Sequence, residues 1–201
     1  MSKSKTVLIT AFEAFGGESI NPTQIVLEKL PESIDGYGLN RLLLPVEFIR
    51  CRQMAFDEYD RCMPAAVIML GQAGGREAIT PETTGRNIRQ ARMPDNAGYC
   101  PDHIQVVENG PDILNSTFPV EKIIEAISRT GVSAKQSDDA GTYVCNTLLY
   151  GMLEHNRGEV PTGFIHVPYI REQGHPDKPY MELNDILKAV ETAIRTVIEN
   201  I

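Results

Sequence analysis

The chain has no tryptophan, only four cysteines and four histidines, and no hydrophobic run long enough to span a bilayer. A spanning helix needs roughly 20 consecutive apolar residues, and no segment approaches that length. The cysteines, at positions 51, 62, 100 and 145, are too sparse for a secreted disulfide scaffold. Positive charge is scarce as well, with 19 Lys and Arg against 27 Asp and Glu and a formal net charge of −8. Phosphate neutralisation needs clustered basic side chains, so no nucleic-acid partner is expected. The N-terminal MSKSKTVLIT has too short an apolar part for a signal-peptide core and no small-residue cleavage site behind it. The expectation is a cytoplasmic protein with free thiols and no membrane partner.

What is present is an ordinary globular balance, 42% hydrophobic and 23% charged, over a length that suits one large α/β domain. Short β-branched or apolar runs alternate with helical patterns. Strands are expected at Thr6–Thr10, Leu39–Leu44, Ala66–Leu70, Ile104–Val107, Val132–Gln136 and Gly163–Val167. Helices are expected at Pro22–Leu30, Glu47–Tyr59, Val120–Arg129, Thr142–Asn156 and Met181–Asn200. Strands separated by helices favour a mainly parallel sheet covered on both faces. Asn21 before Pro22 reads as a helix N-cap followed by proline at the first helical position. No repeat or flexible linker divides the chain, so residues 1–201 are read as a single domain. The irregular stretch Gly71–Asp102 is long for a simple connection, and loops of that length are usually functional.

The strongest local signal is SDDAGTYVCNTLLYGMLEH, Ser137–His155. A strand-like run ends in a small-residue turn, and a helix begins near Thr142 with Val144, Leu148 and Met152 on its buried face. Cys145 therefore falls in or near the first turn, where unpaired N–H groups and the positive end of the helix dipole favour a thiolate. The expectation is an accessible thiol of lowered pKa that alkylates ahead of the other three. A cysteine nucleophile needs a base, usually histidine. His103 follows Cys100 at C-x-x-H spacing, but no second pair completes a zinc site. His155 reads as a cap at the exposed end of the Cys145 helix, and His175 as part of a surface loop. His166, in GFIHVPY, lies near the C-terminal end of an apolar strand, the edge where functional groups gather in parallel sheets. The third member is an acid or amide that fixes the imidazole; Glu82, in the long loop, is the best-placed candidate, with Glu77, Asp138 and Asp139 as competitors that spacing cannot exclude.

Together these segments resemble the pyroglutamyl peptidase I family, also called pyrrolidone-carboxylate peptidase. The likeness runs through VLITAFEAFGGESINPT (Val7–Thr23), LPVEF (Leu44–Phe48) and LGQAGGREAITPETTGRNIRQARMPDNAG (Leu70–Gly98). It continues through SDDAGTYVCN (Ser137–Asn146) and GFIHVPYIREQ (Gly163–Gln173). The resemblance implies a Cys–His–Glu triad of Cys145, His166 and Glu82, and so selects Glu82 among the acids. It also implies a three-layer α/β/α fold with a mixed, mainly parallel sheet, no metal or cofactor, and a homodimer or homotetramer. The implied activity is hydrolysis of the bond after an N-terminal pyroglutamyl residue through a thioester. Phe12 and Phe15 correspond to the family's aromatic contacts with the lactam ring, with Gln72 as its polar partner. Tyr143 fits the family's pattern of an aromatic residue there, with Val144 beside it in the expected pocket. The backbone N–H of Cys145, and Arg92, are candidates for the oxyanion. One departure stands in the first motif: where the family usually has Gly-Phe-Asp/Glu-Pro-Phe-Gly, this chain has Ala11 and Ala14 in place of the glycine and proline. A nucleoside phosphorylase-like activity is the alternative among enzymes, predicting phosphate dependence and no need for Cys145. A catalytically silent binding protein for pyroglutamyl peptides is the alternative outside enzymes.

Overall fold

Strand β1 (Thr6–Phe12) is buried along nearly its whole length, as its run of apolar residues requires for a strand covered on both faces. The computed structural model describes residues 5–201; the first four residues of the expected 1–201 domain, and with them the start of MSKSKTVLIT, lie outside the described residues. After β1 come α1 (Pro22–Lys29), β2 (Ser33–Ile34), β3 (Tyr37–Leu44), α2 (Arg50–Cys62) and β4 (Ala66–Gln72). The middle of the chain contributes only short strands, β5 (Thr80–Pro81), β6 (Thr84–Arg86) and β7 (Ile113–Asn115). Then follow α3 (Val120–Arg129), α4 (Val144–Asn156), β8 (Thr162–Val167) and α5 (Leu183–Ile198).

The six-stranded sheet has the order β2-β3-β1-β4-β8-β5. The pairs of β1 with β3, β1 with β4 and β4 with β8 are parallel, while β2 and β5 run antiparallel at the two edges. Alternation along the strands sends successive side chains to opposite faces. Val7, Ile9, Ile68, Leu70, Ile165 and Val167 pack with α1, α3 and α5 on one side. Leu8, Val67, Met69 and Phe164 pack with α2 and α4 on the other. Three layers result, and the sheet is mixed but mainly parallel.

The N-cap reading of Asn21 is met: its side chain accepts from the Thr23 N–H at 3.0 Å, with Pro22 opening α1. Two expected strands do not form. Val132–Gln136 lies alongside Ile79–Thr83 and exchanges bonds with it, Ile79 N–H to Ser133 O and Lys135 N–H to Ile79 O. Pro81 has no N–H to give where the ladder next needs one, so only isolated bridges remain. In Ile104–Val107, side chains take the backbone groups a partner strand would use. Asn87 Oδ1 accepts from Val107 N–H, and Arg52 donates to Val106 O.

Candidate active site

The carboxyl ends of β4 and β8 set Gly71 and His166 side by side. Gly71 of β4 is paired with His166 of β8, which in turn faces Thr80 of β5. These three positions share the sheet face that packs against α4. Cys145 is the second residue of α4. A methyl group on Gly71 would come within 3.0 Å of Cys145 Sγ and 2.6 Å of the Phe164 ring. Gly71 is thus the floor on which the sulfur rests, about one strand spacing of ~4.8 Å from the His166 column.

Glu82 follows β5 and is fully buried, and His166 is buried to 4% exposure. His166 Nδ1 is 2.7 Å from Glu82 Oε1. An ionised carboxylate only accepts, so Nδ1 carries the hydrogen and Nε2 keeps its lone pair. Burial works to raise the Glu82 pKa, but the hydrogen bond from His166 and the charge of Arg76 hold it below the usual value. Burial lowers the pKa of His166 and outweighs the raising effect of Glu82. The competing acids are elsewhere: Glu77, Asp138 and Asp139 lie toward solvent, away from the imidazole.

Arg76 escaped the sequence reading. Its Nη1 lies 2.6 Å from Glu82 Oε1 and 2.5 Å from Thr80 Oγ1, and its Nη2 donates to Asp139 O at 2.8 Å. It therefore grips the same carboxylate oxygen that holds His166. Its only mark in the sequence is its place in GQAGGR, directly after two glycines that permit tight turns.

The thiol corrects an expectation. Cys145 is half-buried, and burial pushes its pKa up to about 12, with the Glu82 charge adding to the rise. Arg76 and the residue's own main-chain N–H pull the other way without winning. A lowered pKa, read from the helix terminus alone, does not describe the resting protein.

Beside Cys145 is a cavity of about 20 Å³ lined by Phe12, Phe15, Asn21, Val46, Gln72, Tyr143 and Val144. Phe12, Phe15, Gln72, Tyr143 and Val144 thus meet at one cavity, together with Asn21 and Val46, which were not foreseen. The cavity holds about one water. Phe15 brings the loop at 13–20 to the cavity wall, and that loop is pinned by Asn21 Nδ2 to Glu13 O and by Asn96 Nδ2 to Ala14 O. Ala11 sits inside β1, buried and paired with Leu43, so a side chain at this position fits a regular strand. Arg92 is exposed and absent from the cavity lining, and it makes no hydrogen bond or ion pair among the described residues. It belongs to the Arg92–Asn96 segment at the rim, where Tyr143 donates its hydroxyl to Pro94 O.

The remaining histidines lie apart from the thiol's cavity. His155 does not cap its helix but bonds Asp60 at 2.8 Å and stacks on Phe56, docking α4 on α2. His103 is exposed beside Asp102, and His175 bonds Glu18 at 2.7 Å. All four cysteines are free thiols. Among the described residues no group of three or more His, Cys, Asp or Glu converges as a metal site.

Known proteins share both the sequence and the fold. Residues 5–200 match the family described as pyroglutamyl peptidase. Pyrrolidone-carboxylate peptidase 1 of Caldanaerobacter subterraneus is 42% identical over 198 residues, covering 96% of this chain and 98% of that protein. The crystal structure of pyroglutamyl peptidase I from Bacillus amyloliquefaciens superposes with a TM-score of 0.93 at 35% identity, covering 96% of this chain and 95% of the other. Pyrrolidone carboxyl peptidase from Thermococcus litoralis superposes equally well, with a TM-score of 0.93 at 33% identity over 96% and 93% of the two chains. A family match of this extent, with fold and sequence agreeing over nearly the whole length, means that the chain belongs to the pyroglutamyl peptidase family.

Proposed function

We propose that this protein is a cysteine peptidase that hydrolyses the amide bond after an N-terminal pyroglutamyl residue. The observation that carries the reading is the Cys145 thiol resting on Gly71, beside the His166–Glu82 pair and opening into a cavity walled by Phe12 and Phe15. In this reading Cys145 Sγ attacks the carbonyl carbon while His166 Nε2 takes the thiol proton. The C–N bond breaks as His166 returns that proton to the leaving amine, and water then hydrolyses the thioester with His166 again as base. Glu82 holds the imidazole, and Arg76 holds Glu82. The N–H of Cys145, at the uncapped N-terminus of α4, faces the developing oxyanion. Arg92 remains a candidate for that charge only if substrate draws the rim segment inward.

A lactam ring needs far more room than one water, so the Glu13–Ile20 loop moves outward to admit it. The ring is uncharged, which suits aromatic walls with few polar groups. No observation favours the phosphorylase-like or binding-protein alternatives. A nucleophilic thiol among four free cysteines suits a reducing compartment, and we place the enzyme in the cytoplasm as a homodimer or homotetramer. No helix of the described residues is long and apolar enough to cross a membrane.

The test is hydrolysis of a chromogenic pyroglutamyl amide. Wild type should turn it over, and Cys145→Ser should lose about a thousandfold or more in kcat/KM. Sedimentation of the same preparation should give a mass above the 22.3 kDa of one chain. Full activity in the serine variant would remove Cys145 from the mechanism.

A further inference from the structure

Two glutamines far apart in sequence meet at the cavity, and their orientation is decided by a backbone group. Gln173 ends a short 3₁₀ turn, Arg171–Gln173, just beyond β8. The Ile170 N–H donates to Gln173 Oε1 at 3.0 Å. A backbone N–H can only donate, so this contact fixes which end of the Gln173 amide is oxygen. The other end, Nε2, faces acceptors: Gln72 Oε1 at 2.8 Å, Ile20 O at 3.5 Å and Glu18 Oε2 at 3.5 Å. Every contact agrees with one orientation. Gln72 must then turn its oxygen to Gln173, because the reverse would set two NH₂ groups against each other.

The consequence falls on the cavity. Gln72 is buried to 8% exposure and lines the space beside Cys145, and its Nε2 has no hydrogen-bond partner among the described residues. With the oxygen committed to Gln173, any contact the Gln72 side chain makes to the cavity is as a donor and not an acceptor. We propose that Gln173 is a specificity-determining positioning residue, which locks the Gln72 amide with its NH₂ toward the substrate so that the pocket reads the lactam carbonyl. This rests on the pyroglutamyl-peptidase reading above and adds to it the residue that sets the polarity of the pocket. A prolyl ring has the same size but no carbonyl and would leave the Gln72 donor unpaired, whereas a pyroglutamyl ring satisfies it.

Gln173→Glu tests the lock. The new carboxylate still accepts from Ile170 N–H but has no hydrogen to give Gln72, and it faces Ile20 O and Glu18. Gln72 is then drawn to flip, donating to that carboxylate and turning its own oxygen to the lactam carbonyl. Gln173→Met removes the lock without imposing the flip. The expected order for kcat/KM on a pyroglutamyl amide is wild type, then Gln173→Met, then Gln173→Glu. The last should fall about ten- to a hundredfold, mainly through KM, and preference over a prolyl amide should shrink by a similar factor. The rate at which iodoacetamide labels Cys145, which does not use the lactam contact, should stay the same in all three. If the two variants lose equally, or if Gln173→Glu keeps the wild-type preference, Gln173 only packs and the proposal fails while the function stands. A wild type inactive on pyroglutamyl amides overturns the function itself, and the proposal with it.

Discussion

Cys145 sits where two physical effects oppose each other. A helix N-terminus stabilises a nearby negative charge by roughly 0.3–2 kcal/mol, which is about one pKa unit. Taking a thiolate out of water moves a pKa by up to about 3–5 units the other way. Burial wins, and the thiol is pushed up to about 12. His166 is neutral as well, because its own burial lowers its pKa. The resting pair is thiol and imidazole, and in the proposed mechanism the proton moves only as the carbon–sulfur bond forms. Alkylation of Cys145 by iodoacetamide should therefore be slow near neutral pH and keep rising into the alkaline range, trailing the exposed Cys100. The acid limb of kcat/KM should lie below the ordinary histidine value of about 6.5, because His166 must be neutral to act as base. Rapid labelling of Cys145 with a plateau at pH 6–7 would instead reveal a preformed thiolate–imidazolium pair. Cys145 and His166 could be singled out in the sequence because a strand–turn–helix and an apolar strand surround them. Glu82 could be separated from Glu77, Asp138 and Asp139 only by family resemblance. Arg76 and Gln173 could not be found at all, since the Gln173–Gln72 contact spans 101 positions and no local pattern encodes it.

At the scale of elements, the site depends on how closely α4 approaches β4. Asn146, fully buried, accepts from Arg86 N–H and donates to the carbonyls of Arg86 and Ile88, stitching the first turn of α4 to β6. That stitching presses the Cys145 sulfur onto Gly71, where no side chain fits. Gly71→Ala should therefore cost about 1–3 kcal/mol of stability by overpacking and reduce kcat more than the stability loss explains, since the sulfur must shift. Thermal unfolding and kcat measured together check this; an alanine variant with wild-type kcat would show that the close approach does not set the sulfur. The long strands and all five helices are legible in the sequence because periodicity and burial coincide: α3, with Val120, Ile123 and Ile127 inward, has the bounds its pattern predicts. The short strands β2, β5, β6 and β7 are not. Each has two or three residues, too few for alternation to register, and their pairing is set by distant partners. Of these, β5 leads into Glu82, and β6 and β7 receive α4.

For the whole molecule, burying a histidine and a carboxylate together ties stability to pH. The folded pKa of His166 lies below its unfolded value, so folding excludes its proton. That contribution is complete above about pH 6.5 and is lost as pH falls from there toward the folded value. Glu82 also has a depressed pKa; its contribution is present above about pH 4.3 and is lost on further acidification through the folded value. The two signs agree, and they act in sequence, histidine first. The protein should therefore lose thermal stability on going from about pH 7 to about pH 5, well before most surface carboxylates titrate. A glutamine side chain has no proton to take up over that range, so His166→Gln should flatten the change in Tm between about pH 7 and about pH 5. Differential scanning calorimetry of both proteins between about pH 4 and 8 makes the comparison. Parallel Tm curves for wild type and His166→Gln would mean that the imidazole titrates alike in the folded and unfolded chain, and that its burial beside Glu82 does not tie stability to pH.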